Sequence, residues 1–172
     1  MPPLEKERCA TCRQKKAQTT CGLCAGPVCK TCVQRVDDET FRYHEALPDE
    51  LRHSQYCGHC YVRVVAPALA EYEARLATAR NVVVFTKRKT EETRLLSRSA
   101  KPIRVENCSD EAETLLKLAM LAVRDGHNVL LDVECTSAIV RHPGGYQTSR
   151  WRGSAIPSTV DPEWLARTEN RR

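Results

Sequence analysis

The sequence predicts an α+β protein with a small cysteine-rich unit, a connecting helix and a ββαββ-like domain that packs one helix on a mostly antiparallel sheet. Three observations lead to this prediction. Eight of the ten cysteines form four Cys-x-x-Cys pairs before residue 61, an apolar stripe of helical spacing follows them, and strand patterns then surround one helix pattern. We expect the three parts to span residues 1–62, 63–80 and 81–172.

The composition is typical of a globular protein. Hydrophobic residues make up 41% and charged residues 28% of the 172 positions. No stretch approaches the roughly 18 uncharged apolar residues of a membrane span, and the start, MPPLEKERC, lacks the apolar run of a signal peptide. We therefore expect a cytoplasmic protein, and in that reducing compartment paired cysteines indicate metal ligands rather than disulfides.

The four cysteine pairs supply ligands for two metal ions. Two Cys-x-x-Cys turns complete the four-sulfur tetrahedron that structural zinc prefers, so eight thiolates predict two Zn²⁺ ions. The pairs can be grouped sequentially, with the first two pairs on one ion, or in an interleaved order. Gly26 and Pro27, in the four residues between the second and third pairs, favour a tight turn that passes the chain from one ion to the other, which favours interleaving. The interleaved prediction assigns Cys9, Cys12, Cys29 and Cys32 to site 1, and Cys21, Cys24, Cys57 and Cys60 to site 2.

Residues 9–60, and particularly CGLCAGPVCKTC at 21–32, resemble a FYVE-type zinc finger. That family has four cysteine pairs with four residues between the second and third, and the resemblance implies a small two-zinc cross-brace finger followed by a helix. RING fingers instead keep two or three residues between the fourth and fifth ligands. PHD fingers usually have histidine as the fifth ligand, where this chain has Cys29.

The signature with which typical FYVE fingers bind phosphatidylinositol 3-phosphate is missing from this chain. Its Trp-x-x-Asp, its basic histidine-rich run and its Arg-Val-Cys correspond here to LEKERC, KKAQTTCGLC and SQYC. Thr19 and Thr20 take the place of the paired histidines, and only Lys15 and Lys16 are basic near that run. The resemblance therefore supports the scaffold and argues against a phosphoinositide membrane as the ligand.

Other histidines and cysteines have simpler interpretations than metal ligation. His59 lies inside the last Cys-x-x-Cys turn, but cysteines already fill all eight ligand positions, so we expect it to be exposed or to contact the site from outside. His44 and His53, in the 24-residue segment before the last pair, would serve as ligands only if a cysteine pair failed. Cys108 and Cys135 are expected to be buried as small hydrophobic side chains.

The chain after the finger begins with a helix and two strand patterns. Pro67 fits the first turn of that helix, where a missing N–H costs little. NVVVF (81–85) and IRVENC (103–108) indicate strands, and we expect the polar run 86–94 between them to be a solvated loop. The helical stripe consists of Val65, Leu69, Tyr72, Leu76 and Ala79, at intervals of four, three, four and three.

The rest of the α+β domain reads as a capped helix and a hairpin. Asp110 and Glu113 form a capping box ahead of an apolar helix that ends at Gly126. Segments 128–140 and 146–156 predict the two arms of a hairpin around the turn RHPGG. Asp161 and Pro162 are expected to start a last helical turn around Trp164. On the first arm, alternation places Val129, Leu131, Val133 and Cys135 on one face.

Residues 81–156 carry a second resemblance. DEAETLLKLAMLAVRDGHNVLLDVEC followed by GGYQTSRWRGSA is similar to small bacterial α/β domains, among them heavy-metal-binding domains that assemble as rings and envelope-stress sensor domains. This resemblance implies that the chain can form a homo-oligomer through its C-terminal domain.

The leading functional prediction is a non-catalytic zinc-binding protein that acts as a protein-interaction or scaffold module. Closed four-sulfur sites leave no zinc position open for water, and no nucleophile–base pair stands out in the sequence. The formal charge of +5 falls to about +1 when eight thiolates and two zinc ions are counted, so we expect a protein partner and no nucleic acid. The alternatives are a phosphoinositide-dependent peripheral membrane adaptor and a RING-like ubiquitin-ligase module.

Overall fold

The computed structural model describes residues 7–86, 96, 100–161 and 163–164. The chain divides into two compact units, Met1–Glu73 and Ala74–Arg172, and the boundary falls inside one helix. No helix in the described ranges is both long and apolar enough to cross a membrane. The loop predicted for 86–94 lies, after Thr86, outside the described residues, as does Pro162 of the predicted last turn.

Very short strands form the regular sheet structure of the first unit. β1 (Thr19–Thr20) pairs with β2 (Pro27–Val28), and β3 (Gln34–Arg35) pairs with β4 (Gln55–Tyr56), both antiparallel. Two-residue ladders are too short to hold a fold in water. This unit therefore depends on cross-links of another kind, and the cysteines described below are placed to supply them.

The 24 residues between Cys32 and Cys57 are held down by aromatic side chains. The ring of Phe41 meets the ring of Tyr72 edge-on at 5.3 Å, and the backbone N–H of Tyr43 donates to the Tyr72 hydroxyl at 3.2 Å. The hydroxyl of Tyr56, which is fully buried, donates to the carbonyl of Glu50 at 2.9 Å. The segment is therefore an ordered part of the first unit.

The connecting helix, α1 (Ala66–Ala79), follows a helical turn at Gly58–Cys60 and a wider π-helical turn at Tyr61–Val65. Val65, Tyr72 and Ala79 are buried on its predicted apolar stripe, and the other two members are half-buried. Pro67 lies in the first turn, as predicted.

The second unit is one four-stranded sheet with a helix on one face. The elements are β5 (Val83–Thr86), β6 (Ile103–Cys108), α2 (Glu111–Arg124), β7 (Val129–Arg141) and β8 (Gln147–Ser158). The strand order is β5-β7-β8-β6; β7 pairs antiparallel with β8 and β8 with β6, whereas β5 runs parallel to β7. The predicted α+β class with one helix on a mostly antiparallel sheet is confirmed.

Helix α2 begins with the predicted cap at Asp110. The carboxylate of Asp110 accepts from the backbone N–H of Glu113 at 2.7 Å. The carboxylate of Glu113 accepts from the backbone N–H of Ser109 at 2.9 Å and pairs with Lys117 at 2.8 Å. The helix ends before Gly126, whose φ of +81° suits glycine.

A β-bulge corrects the predicted face assignment of β7. Asp132 has φ +51°, and the register with β8 shifts between Leu131 and Glu134. Leu130 pairs with Pro157 and Cys135 with Gly153, which places Leu130 and Cys135 on one face. The prediction that Cys135 shares a face with Val129 and Leu131 is therefore wrong, because strict alternation takes no account of the extra residue.

Both faces of the sheet are apolar where the helix and the last residues pack. Phe85, Val129, Leu131 and Val160 form a buried cluster with Trp164 beside it. On the helix side, Gly153 allows α2 to approach closely: a Cβ at this position would lie 2.5 Å from Cγ2 of the buried Thr114. The centre of β7 is thus buried on both sides.

Candidate metal centre

The four Cys-x-x-Cys turns are of two local types. In the first two, which begin at Cys9 and Cys21, the fourth residue after the first cysteine donates its N–H back to that cysteine's carbonyl, at 2.8 and 2.9 Å. These donors, Arg13 and Ala25, have φ near +55°, a conformation that folds the chain tightly over the sulfurs. The last two turns, which begin at Cys29 and Cys57, have the same bond at 3.1 and 3.0 Å, but their donors, Val33 and Tyr61, do not have a positive φ. Cys57 also caps the short helical turn that leads towards α1.

Backbone hydrogen bonds place each of the first two turns next to one of the last two. The N–H of Ala10 donates to the carbonyl of Pro27 at 2.8 Å, which ties the first turn to the strand before the third. The N–H of Gly22 donates to the carbonyl of Gln55 at 2.9 Å, which ties the second turn to the strand before the fourth. Backbone bonding therefore brings the first turn to the third and the second to the fourth.

The sulfur atoms form two separate tetrads in the interleaved order. Within each tetrad the four ligand atoms lie within 4.8 Å of one another. A zinc tetrahedron with Zn–S bonds of about 2.3 Å has S···S edges of about 3.8 Å. The distance between Cys12 Sγ and Cys29 Sγ, and that between Cys24 Sγ and Cys57 Sγ, is 3.9 Å. The tetrads are Cys9, Cys12, Cys29 and Cys32 for site 1, and Cys21, Cys24, Cys57 and Cys60 for site 2.

Each tetrad can hold one metal ion, and its donor set fits zinc. Four thiolates around a space of this size match the closed structural sites of Zn²⁺. The fold does not bring the first two cysteine pairs together, as the sequential grouping requires, because these pairs belong to different tetrads. Two metal ions per chain, as predicted, therefore fit the structure.

Backbone N–H groups favour the thiolate of the first cysteine at each site. Burial opposes ionisation of Cys9, but the N–H groups of Cys12 and Cys29 outweigh it and lower its pKa to about 6. Burial likewise opposes ionisation of Cys21, and surrounding N–H groups lower its pKa to about 7. The sulfur of Cys29 and burial raise the pKa of Cys32 to about 12. A divalent cation is therefore needed before all four thiols of a site become thiolates.

Two contributors to the centre have no signal in the cysteine pattern. Thr31 Oγ1 lies 3.2 Å from Cys29 Sγ, lowers the pKa of that thiol, and accepts a hydrogen bond from Lys15 Nζ at 3.3 Å. Gly22 lies against His53, where a Cβ would come within 2.4 Å of the imidazole. Both occupy the variable positions of a Cys-x-x-Cys turn, and a single sequence does not distinguish these from ordinary turn residues.

The remaining candidates lie outside the two tetrads. His59 is exposed, and its Nε2 lies 3.1 Å from the guanidinium of Arg63. His44 stacks on Tyr72 with ring centroids 6.4 Å apart. Cys108 is fully buried, as predicted, and Cys135 is half-buried.

No protein-family model, no curated protein and no solved structure matches the chain.

Proposed function

We propose that residues 9–60 form a FYVE-type cross-brace finger with two Zn²⁺ ions, and that this finger acts as a non-catalytic protein-interaction or scaffold module in the cytoplasm. Three features support the FYVE assignment. The tetrads are interleaved, four residues separate Cys24 from Cys29, and a helix follows the last ligand.

The observation that carries the non-catalytic role is that each site offers four sulfur ligands. A catalytic zinc keeps a position open for water or substrate, whereas a four-sulfur site is closed. When bound, zinc supplies a redox-inert tetrahedral cross-link. The chain's own residues then hold the segment 33–56 between Cys32 of site 1 and Cys57 of site 2, and this fixes the exposed surface of the segment for a partner.

Cobalt substitution tests the closed site directly. Protein reconstituted with two Co²⁺ ions should show tetrahedral sulfur-ligated absorption bands that do not change when imidazole or azide is added, because no ligand position is open. A spectral change on adding either ligand would indicate an open metal position and would overturn the non-catalytic proposal.

Phosphoinositide binding has less support, because the residues of the corresponding run are used inside the fold. Lys15 bonds to Thr31, and the hydroxyl of Thr19 donates to Gln55. We expect no saturable binding to vesicles containing phosphatidylinositol 3-phosphate at physiological salt. Binding that disappears when Lys15 and Lys16 are changed to alanine would favour the membrane adaptor instead.

A further inference from the structure

The distal part of the β7–β8 hairpin is a two-stranded arm that extends beyond the rest of the sheet. β5 pairs with β7 only as far as Val133, and β6 pairs with β8 only as far as Trp151. β7 and β8 continue to pair with each other to Arg141 and Gln147. The hairpin arm, residues 137–150, therefore has neither outer edge paired within the described residues and extends about 16 Å past the sheet, at roughly 3.3 Å per residue.

Contacts across the turn hold the tip of the hairpin arm together. The N–H of His142 donates to the carbonyl of Tyr146 at 3.0 Å, and the two rings stack with centroids 4.5 Å apart. His142 Nε2 is also within 2.8 Å of the Thr148 hydroxyl. A surface that is ordered in this way loses little conformational entropy when a partner binds.

The arm combines exposed apolar groups with positive charge. Ile139 is 68% exposed and Tyr146 is 60% exposed. Arg141 and Arg150 are exposed as well, and no acidic residue occurs from position 135 to position 160. Ile139 and Arg141 lie on one face of the arm and Arg150, which pairs with Ala138, lies on the other, so both faces of the arm carry positive charge. Exposed aromatic, aliphatic and arginine side chains are the composition of protein-binding surfaces, where arginine and tyrosine are enriched.

The first unit carries a surface of opposite charge. The acidic segment, residues 37–50, has six carboxylates, all on exposed residues, and lies in the ordered stretch between Cys32 and Cys57. Glu39 pairs with Arg42 and Asp49 with Arg52, yet their side chains remain 78% and 90% exposed. The six carboxylates outnumber these two guanidinium groups by four, so the segment is strongly negative.

The charges of the two units as a whole also oppose each other. Residues 1–73 have ten basic and ten acidic side chains, and two four-thiolate zinc sites bring this unit to about −4. Residues 74–172 have seventeen basic and twelve acidic side chains, which gives +5. Two arms placed edge to edge would bring like charges together, whereas an arm against an acidic segment would not.

We propose that the hairpin arm of one chain docks on the acidic segment of a second copy, so that the chains associate head to tail. This proposal rests on the proposed function, because the zinc sites order the acidic segment and add to its charge. Each chain then uses both surfaces, and the contact closes into a ring or continues as an open assembly. Exposed ion pairs are screened by salt, so the association is salt-sensitive.

Charge reversal with exchange tests the pairing. Arg141→Glu with Arg150→Glu (arm variant) and Asp37→Lys with Asp38→Lys (segment variant) change exposed side chains only. In sedimentation velocity at 50 mM salt, the zinc-loaded wild-type chain should form species larger than a monomer, and each variant alone should be monomeric. A 1:1 mixture of the two variants should associate again, because the segment variant keeps the basic arm and the arm variant keeps the acidic segment, so one wild-type contact can form between them.

A control and a neutral change complete the design. Arg80→Glu with Lys101→Glu alters the net charge of the second unit equally, at exposed positions outside the arm, and should leave association intact. Ile139→Thr should weaken association about tenfold or more without changing charge, since it removes an exposed apolar contact.

Three results would overturn the proposal: a wild-type chain that is monomeric at low salt, reversal variants that associate like the wild type, or a mixture that stays monomeric. A monomeric chain that binds a 20-base-pair DNA duplex through the arm would also overturn it, in favour of nucleic acid. Native mass spectra of the same samples give the zinc content. A monomer with two zinc ions contradicts self-association and leaves the zinc-finger proposal standing.

Discussion

Replacing Gly22 with alanine is expected to weaken metal binding at site 2, whereas replacing Gly58 is not. Both glycines follow the first cysteine of a Cys-x-x-Cys turn, and both turns belong to site 2. A Cβ at position 22 would lie 2.5 Å from the Cβ of His53, about 0.9 Å closer than an ordinary contact allows. A Cβ at position 58 would lie 3.4 Å from a methyl group of Thr11, which is an ordinary contact.

The size of the effect follows from the overpacking. Moving His53 by about 1 Å in a packed environment costs typically 1–3 kcal/mol. If the substitution destabilises the metal-bound state by this amount relative to the metal-free state, the affinity of site 2 for zinc falls about 5- to 150-fold. The backbone N–H bond from Gly22 to Gln55, on the strand before the fourth turn, connects the displaced residues to the site.

Chelator competition followed by native mass spectrometry measures this difference. Site 1 serves as the internal reference, and N-ethylmaleimide labelling with peptide mapping identifies which cysteines become free. Gly22→Ala should release the ion of site 2 first and leave site 1 unchanged, and Gly58→Ala should behave as the wild type. Equal zinc retention in the two variants, or release from site 1 in Gly22→Ala, would refute the reasoning.

Two further predictions concern the second unit. This unit contains both tryptophans, so tryptophan fluorescence reports its unfolding. Gly153→Ala should destabilise this unit by about 1–3 kcal/mol, because the new Cβ clashes with a methyl group of Thr114. Adding Thr114→Ser removes that methyl group and should recover part of the loss. Urea titrations in which the effects of the two substitutions simply add would contradict this explanation. Burial opposes ionisation of Glu113, but Lys117 and Ser109 lower its pKa from 4.5 to about 2. Its carboxylate should therefore add up to about 3 kcal/mol to the free energy of unfolding above pH 4.5, and this contribution should be lost as the pH falls towards 2. Glu113→Gln should then lower stability at pH 7 and much less near pH 2. An equal loss of stability at both pH values would contradict this reasoning.

The metal tetrads could be predicted from sequence because their signal is local and redundant. A Cys-x-x-Cys turn places two sulfurs on one ion whatever surrounds it, and the spacing of the pairs limits which turns can meet. The choice between interleaved and sequential grouping needed one additional clue, the short turn at Gly26 and Pro27. The fold then settles it through long-range ladders such as Ala10 to Pro27.

Other features depend on contacts that a single sequence does not contain. The bulge at Asp132 breaks the alternation of β7, and a non-glycine residue at positive φ has no reliable sequence signal. Gly153 matters because α2 packs on it, which only the tertiary arrangement reveals. The hairpin itself was predictable from its turn and strand patterns, but its extension past β5 and β6 follows from where those strands stop pairing.

Removing cysteines four at a time tests the cross-brace most directly, with zinc counted by native mass spectrometry of the folded protein. Serine at all four cysteines of site 1 should leave one zinc ion, and serine at the first two pairs should leave none, since each site then retains only two sulfurs. Sequential grouping gives the reverse: no zinc in the first variant and one in the second. The first variant changes Cys9, Cys12, Cys29 and Cys32, and the second changes Cys9, Cys12, Cys21 and Cys24. One zinc followed by none is the result that the interleaved tetrads predict, and none followed by one would contradict them.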